Sequence, residues 1–343
     1  MLNTHLDQGA LALLQQGYRN NWQRYIASLG GASSRAPQWD MCVLTASNER
    51  QAAAYEAQLE ARRASGLLPA RTQFRVIADP DGLRIGSGGA TLRVLSILAQ
   101  ELGHDAELGN PFAGRRVLVI HSGGDSKRLP HCSATGKLFA RVPHQLPDGR
   151  PSSLFDEFIV SFSGLPGQVP HGILVASGDT LLLFDHLQLT FASSGVVGVA
   201  AATSAETGTQ HGVYVTQGSA REVRGFLHKP SIERMRAEGG LRDDGWVQVD
   251  TGLAWLDPET AYKALSLADS VAEPISRGVT INLYGDILAP LAQTADYADY
   301  LADTSDGPAT PALQEVRRLV WDMMRGTPFS VEVLKPAVFI HFG

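Results

Sequence analysis

Four short apolar runs, MCVLT (41–45), FRVIA (74–78), VLVI (117–120) and GILVA (172–176), recur along the first half of the chain. MCVLT and GILVA have the pattern of buried strands, and FRVIA and VLVI read as the second and third strands. Helix-like stretches separate them. Leu11, Leu13, Leu14, Tyr18, Trp22, Tyr25 and Ile26 recur at helical spacing, and Asn48 caps an Ala-, Gln- and Glu-rich helix reaching about 64. The loop RIGSGGATL leads into a helix over 91–102, and residues 153–162 form another. Strands alternating with helices imply a largely parallel sheet covered on both faces. In such sheets ligands bind outside the carboxyl ends of the strands.

The second half is more mixed. Residues 195–203 read as a strand, and 212–216 and 222–228 as an antiparallel pair. Ser231 starts a short charged helix, 247–256 is a strand carrying an Asp, and helices follow at about 258–268, 282–293 and 309–325. The end, VEVLKPAVFIHFG, is strand-like. Trp39, Trp246, Trp255 and Trp321 read as core residues.

The 343 residues suffice for one large α/β domain with additions, or for two domains. A net charge of −6 argues against a nucleic-acid-binding protein. Cys42 and Cys132 are the two cysteines, which implies no disulfide framework and suits a reducing cytoplasm. The first residues lack the basic and apolar regions of a signal peptide, and no apolar run approaches the roughly 20 residues that span a bilayer, so no membrane association is expected.

Several constellations carry chemistry. In VLVIHSGGDSKRLPHCSATGKLF (117–139) an apolar strand runs into Gly123 and Gly124, followed by Lys127, Arg128 and Lys137. Glycines let backbone N–H groups approach an anion, and the cations supply the countercharge of phosphates. The spacing is neither GxxxxGK[ST] nor GxGxxG. Gly86, Ser87, Gly88 and Gly89 precede a helix, a place for an anion or a base edge. Asp179 follows a buried strand, where it holds Mg²⁺ or bonds its own turn. Asp250 lies in an apolar run, which is costly unless it is paired or metal-bound. Lys229, before Pro230, is placed to reach a sugar phosphate or solvent, and Asn282 and Asp286 to face a sugar or the helix interior. No HxH, HExxH or GxSxG pattern supports a zinc site or a hydrolase elbow.

The strings WDMCVLTASNERQAAAYEAQL, RIGSGGATL and HSGGDSKRLP…GKLF, in this order, resemble the GDP-fucose pyrophosphorylase (L-fucose-1-phosphate guanylyltransferase) family. Some of its members are fused to an L-fucokinase domain. The resemblance runs from about Trp39 to the end. It implies an α/β, Rossmann-like nucleotidyltransferase (GT-A-like) fold, with a mixed, mostly parallel sheet flanked by helices. It also implies GMP transfer from GTP to L-fucose 1-phosphate or a related sugar 1-phosphate, with Mg²⁺ as cofactor. By similarity, Gly123, Gly124, Lys127, Arg128 and Lys137 form the triphosphate loop, Gly86–Gly89 line the nucleotide, Asp179 and Asp250 are the metal carboxylates, and Lys229 contacts the sugar phosphate. The expected organisation is a helical segment over 1–38, a catalytic domain over 39–330, and a stub over 331–343 that leads towards a β-helix absent from the chain. No kinase glycine loop is present, so fucokinase activity is not expected. Another nucleotidyltransferase, using UTP or ATP with a different hexose 1-phosphate, and a non-catalytic nucleotide-sugar sensor are the alternatives.

Overall fold

The computed structural model describes residues 7–30, 35–103, 109–122, 132, 136–191 and 194–342. The strands are β1 (Met41–Ala46), β2 (Gln73–Ala78), β3 (Arg116–His121), β4 (Arg141–Gln145), β5 (Pro151–Ser153), β6 (Gly172–Ser177) and β7 (Thr180–Leu183). They continue with β8 (Val196–Ser204), β9 (Gly212–Val215), β10 (Gly225–His228), β11 (Trp246–Leu256), β12 (Phe329–Leu334) and β13 (Val338–His341). The α-helices are α1 (Gln8–Ser28), α2 (Glu49–Ala64), α3 (Gly86–Glu101), α4 (Leu154–Phe162), α5 (Ala205–Gly208), α6 (Ile232–Ala237), α7 (Pro258–Ser276), α8 (Tyr297–Ala302) and α9 (Pro311–Met324).

The central sheet has the order β10-β9-β11-β6-β3-β1-β2, with β8 on β11 and β12 on β8. One half, β2-β1-β3-β6, is parallel throughout. In the other half β11 runs antiparallel to β6, β8 and β9, and β9 to β10, while β12 lies parallel to β8. The sheet is therefore mixed, with its parallel part laid out by the four apolar runs.

Alternate residues of those runs enter opposite cores, because successive strand side chains point to opposite faces. Met41, Val43, Val117, Val119, Ile173 and Val175 pack with α3, α7 and α9. Cys42, Leu44, Leu118, Ile120, Leu174 and Ala176 pack with α2, α4 and Tyr25 of α1. Truncating one such residue, as in Leu118→Ala, costs about 2–5 kcal/mol. Helix α1 is fixed to this second layer by Tyr18, whose hydroxyl donates to Glu157 Oε2 at 3.1 Å, and by Asn21 Nδ2, which donates to the Phe184 carbonyl at 2.8 Å.

Three local readings change. Helix α3 starts at Gly86, five residues before the expected start, so its first turn contains the glycines. The stretch expected as a helix over 282–293 is a π-helical turn, Leu283–Leu288, followed by a 3₁₀ turn, Ala289–Leu291. Pro290 lacks the N–H that a continuing α-helix needs. Trp39 and Trp255 are core, whereas Trp246 is 37% exposed beneath the Lys335 ammonium. At the C-terminus, residue 330 falls inside β12 of the central sheet, and β13 pairs with β7.

Candidate active site

The carboxyl ends of β1, β2, β3 and β6 open into one cleft of about 380 Å³. Thr45 comes from the end of β1 and Asp79 from just past β2. His121 and Ser122 come from the end of β3, and Ser177, Gly178 and Asp179 from the end of β6. Arg84, Gly86, Ser87, Ala90, Lys137, Leu138, Thr280 and Asn282 complete the lining. Of the residues singled out in the sequence, Gly86, Ser87, Lys137, Asp179 and Asn282 are brought together here. Gly123, Gly124, Lys127 and Arg128 lie outside the described residues.

Asp179 is the anionic centre of the cleft. Burial alone would raise its pKa, but His341 Nε2 at 3.4 Å, the Ser177 hydroxyl donating at 2.8 Å and Lys137 Nζ at 3.8 Å hold it down at about 2. Lys137 also donates to the Phe342 carbonyl at 3.0 Å, and Phe342 N–H donates to the Asp179 carbonyl at 2.7 Å. The antiparallel pairing of β13 with β7 places His341 and Phe342 at this point. They are residues that sequence reasoning missed.

The glycines of α3 serve the fold first. Gly86 has φ +75°, and a Cβ there would lie 2.3 Å from the Ile281 carbonyl oxygen. That carbonyl accepts N–H bonds from Gly88 at 2.8 Å and Gly89 at 3.2 Å. These two amides are thus taken by protein, and the close approach of 280–283 is what requires glycine. Ser87 Oγ accepts from Leu283 N–H at 3.0 Å.

A chain of hydrogen bonds crosses the cleft floor. The Thr91 hydroxyl donates to the Ser87 carbonyl at 2.9 Å, so its oxygen accepts from His121 Nε2 at 2.8 Å. His121 Nδ1, 3.2 Å from Thr45 Oγ1, accepts in turn, and Thr45 Oγ1 accepts from Ser122 N–H at 3.2 Å. This assigns the Nε2–H tautomer, and burial pushes the imidazole down to about 4, so it is neutral at pH 7. His121 and Thr45 lie within the strings that carry the family resemblance, but neither was given a role there. The signal for them is topological, since both end parallel strands.

Asp250, Lys229 and Asp286 do not line this cleft. Asp250 Oδ1 accepts from the Tyr214 hydroxyl at 2.9 Å. Burial pushes its carboxyl up to about 7, against the pull of Tyr214, the Gly252 N–H and Tyr284. The buried Tyr284 hydroxyl faces this carboxylate without closing a hydrogen bond among the described residues. Asp250 is nevertheless close in sequence to the cleft wall, because Gly252 packs so tightly on Ser177 that a Cβ would lie 2.6 Å from its Cβ. Lys229 has φ 41°, and its N–H donates to the His211 carbonyl at 3.0 Å. The His211 ring lies 5.6 Å from that of His341, so Lys229 is bonded to the backbone of a residue whose ring reaches the partner of Asp179. Asp286 is buried, with Oδ1 2.8 Å from Arg317 Nε and Oδ2 accepting from Asn282 N–H at 2.7 Å. It fixes the turn that presents Asn282.

Mg²⁺ takes oxygen ligands, usually one or two carboxylates, and completes its shell with water and substrate phosphates. No group of three or more His, Cys, Asp or Glu side chains is suited to a metal among the described residues. Asp179 is ionised in the cleft, whereas Asp250 lies outside its lining and forms no ion pair among the described residues. Asp179 thus offers the cleft a hard oxygen donor suited to a divalent cation whose remaining ligands would be water and a polyphosphate.

A profile of the fucose pyrophosphorylase domain matches residues 110–343. The mouse (Mus musculus) protein named fucose-1-phosphate guanylyltransferase is 30% identical over 366 residues, covering 97% of this chain and 60% of its own length. The Arabidopsis thaliana protein named bifunctional fucokinase/GDP-fucose pyrophosphorylase is 31% identical over 304 residues, covering 79% of this chain and 28% of its own. The chain thus spans 60% of the mouse relative and less of the plant one. Among solved structures, HddC from Yersinia pseudotuberculosis overlays with a TM-score of 0.37 at 11% identity, covering 94% of this chain and 78% of that one, a likeness that carries no argument. With the profile spanning more than half of its residues, cleft lysine and Asp179 included, this chain belongs to the fucose pyrophosphorylase family.

Proposed function

We propose that the chain is a sugar-1-phosphate nucleotidyltransferase that moves GMP from GTP to L-fucose 1-phosphate, releasing pyrophosphate. The observation that carries this reading is Asp179, held ionised beside Lys137 at the carboxyl ends of parallel strands, inside the matched domain. The relatives named for this reaction support the choice of substrates. Two free, buried cysteines suit a reducing cytoplasm, where we place the enzyme. No described helix is long and apolar enough to cross a membrane.

A phosphate oxygen of the sugar 1-phosphate attacks the α-phosphorus of GTP in line. The new P–O bond forms as the bond between the α-phosphorus and its bridging oxygen breaks, and pyrophosphate leaves with that electron pair. No covalent enzyme intermediate is required. The protein's task is to position two mutually repelling polyanions and offset their charge. Lys137 and Arg128 bear on the triphosphate with Gly123, Gly124 and Lys127, and Lys229 on the sugar phosphate. Gly86, Ser87, Gly88 and Gly89 border the nucleoside, and Asn282 and Asp286 the sugar, Asp286 by holding Asn282 in place. Asp179 and Asp250 would hold Mg²⁺, which supplies Lewis-acid neutralisation of the phosphates.

The test is pyrophosphate release from four nucleoside triphosphates, each with several sugar 1-phosphates and Mg²⁺. GTP with L-fucose 1-phosphate is expected to give the highest kcat/KM, and EDTA to stop release until Mg²⁺ is restored. Best turnover of UTP or ATP would overturn the reading.

A further inference from the structure

Among the described residues two carboxylates line the cleft, and the cations divide them. Asp179 stands with Lys137 and His341, where a triphosphate would be met. Asp79 stands on the other wall, just past β2, beside the segment Arg84–Ala90 that opens α3. It is only 8% exposed. Its backbone is pinned, with Asp79 N–H donating to the Ala46 carbonyl at 2.8 Å and Pro80 following. The carboxylate accepts the Ile85 N–H, and the charges of Arg93 and Arg84 bear on it. Arg93 is itself fixed, its Nε donating to the Ala78 carbonyl at 2.9 Å. A carboxylate has about four acceptor sites, and the Ile85 N–H takes one of them.

The nucleobases differ in what they offer such a group. Guanine places two donors side by side, N1–H and the exocyclic N2–H₂. Adenine puts an acceptor at N1, uracil flanks one N–H with two carbonyls, and cytosine has an acceptor at N3. An ionised carboxylate only accepts, so it pairs bidentately with guanine alone among the four. Desolvating it opposite any other base leaves a charge facing an acceptor.

We propose that Asp79 is the residue that selects guanine, its carboxylate accepting from N1–H and N2–H₂ of the bound GTP. This rests on the guanylyl-transfer reading above. Burial pushes the Asp79 carboxyl up to about 6, with the Ile85 N–H and both arginines opposing that rise, so the acceptor form prevails at pH 7.5. Residues Gly86 and Ala90 beside it are small, which leaves the cleft wall open to a flat ring.

The experiment compares GTP, ITP and XTP, with L-fucose 1-phosphate and Mg²⁺ at pH 7.5, for the wild-type chain and Asp79→Asn. ITP lacks the 2-amino group, and XTP carries a carbonyl there. Wild type is expected to favour GTP over ITP by about tenfold or more, the size of one good base contact. In Asp79→Asn the amide offers one acceptor and one donor, which matches xanthine. GTP use should therefore fall about ten- to a hundredfold while XTP becomes the better substrate. A GTP:ITP:XTP ratio unchanged by Asp79→Asn overturns the assignment while leaving guanylyl transfer standing. A wild-type preference for UTP or ATP overturns both. If Asp79→Asn does not fold, the wild-type ratio decides, and equal use of GTP and ITP overturns the contact.

Discussion

The rim of the parallel strands and the interior behind it treat the same side chain in opposite ways. At the rim, Asp179 is surrounded by His341, Lys137 and the Ser177 hydroxyl and is drawn far below the usual carboxylate range. Behind it, Asp250 faces two tyrosines and Asp286 a single guanidinium under the 283–288 turn, and burial pushes both up. A carboxylate at the rim keeps its charge for a ligand. An interior one must share a proton, find a cation or spend its charge on the fold. Substitution of Asp179 should therefore appear in turnover, and substitution within the Asp286–Arg317 pair in stability.

The largest effect expected is Arg317→Ala. It strands the buried Asp286, both side chains being 2% exposed, and should cost about 3–5 kcal/mol in urea unfolding. A small loss of stability with a large rise in KM for the sugar phosphate would break the division. Next comes Asp179→Asn, with a loss of about 10²–10³ in kcat, the scale of one charge-stabilising contact. Pyrophosphate release measures it, and unchanged turnover would remove Asp179 from the site. Gly86→Ala sharpens the comparison on the backbone. Positive φ and the Ile281 carbonyl together predict a cost of about 1–3 kcal/mol. Gly82→Ala, at φ +70° with open space around it, should cost less in the same thermal melts. The smallest is Thr91→Val. It leaves His121 Nε2 without its acceptor, for about 1–2 kcal/mol of stability and a raised KM for GTP. An unaltered KM would confine the threonine–histidine chain to the fold.

The parallel half was legible because β1, β3 and β6 are short and apolar on both faces, and the two cores confirm that alternation from Cys42 and Val43 onward, whereas the edge strand β2 exposes Gln73 and Arg75. Asp179 was legible as a carboxylate just past β6, and Lys137 as a cation in the segment that follows β3. Thr45, Asp79 and His121 were not, since each is an unremarkable residue until the sheet order brings the strand ends side by side. The start of α3 was misplaced because four residues with three glycines read as a loop by propensity. The tertiary contact with Ile281 overrides that preference. His341 was invisible because its partner strand, β7, lies about 160 residues earlier in the chain. Asp250 and Asp179 looked alike as sequence, and only their neighbours separate them.

The grip of the Ile281 carbonyl on Gly88 and Gly89 also sets the order in which the molecule can be completed. Nearly 200 residues separate the two sides of that contact, and closing so long a loop is slow, as are folds dominated by distant pairings. During synthesis the first four parallel strands are finished well before residue 281 exists. Helices α7 and α9, which cover one face of those strands, also follow them in the chain, so affinity for nucleotide should arise late in synthesis.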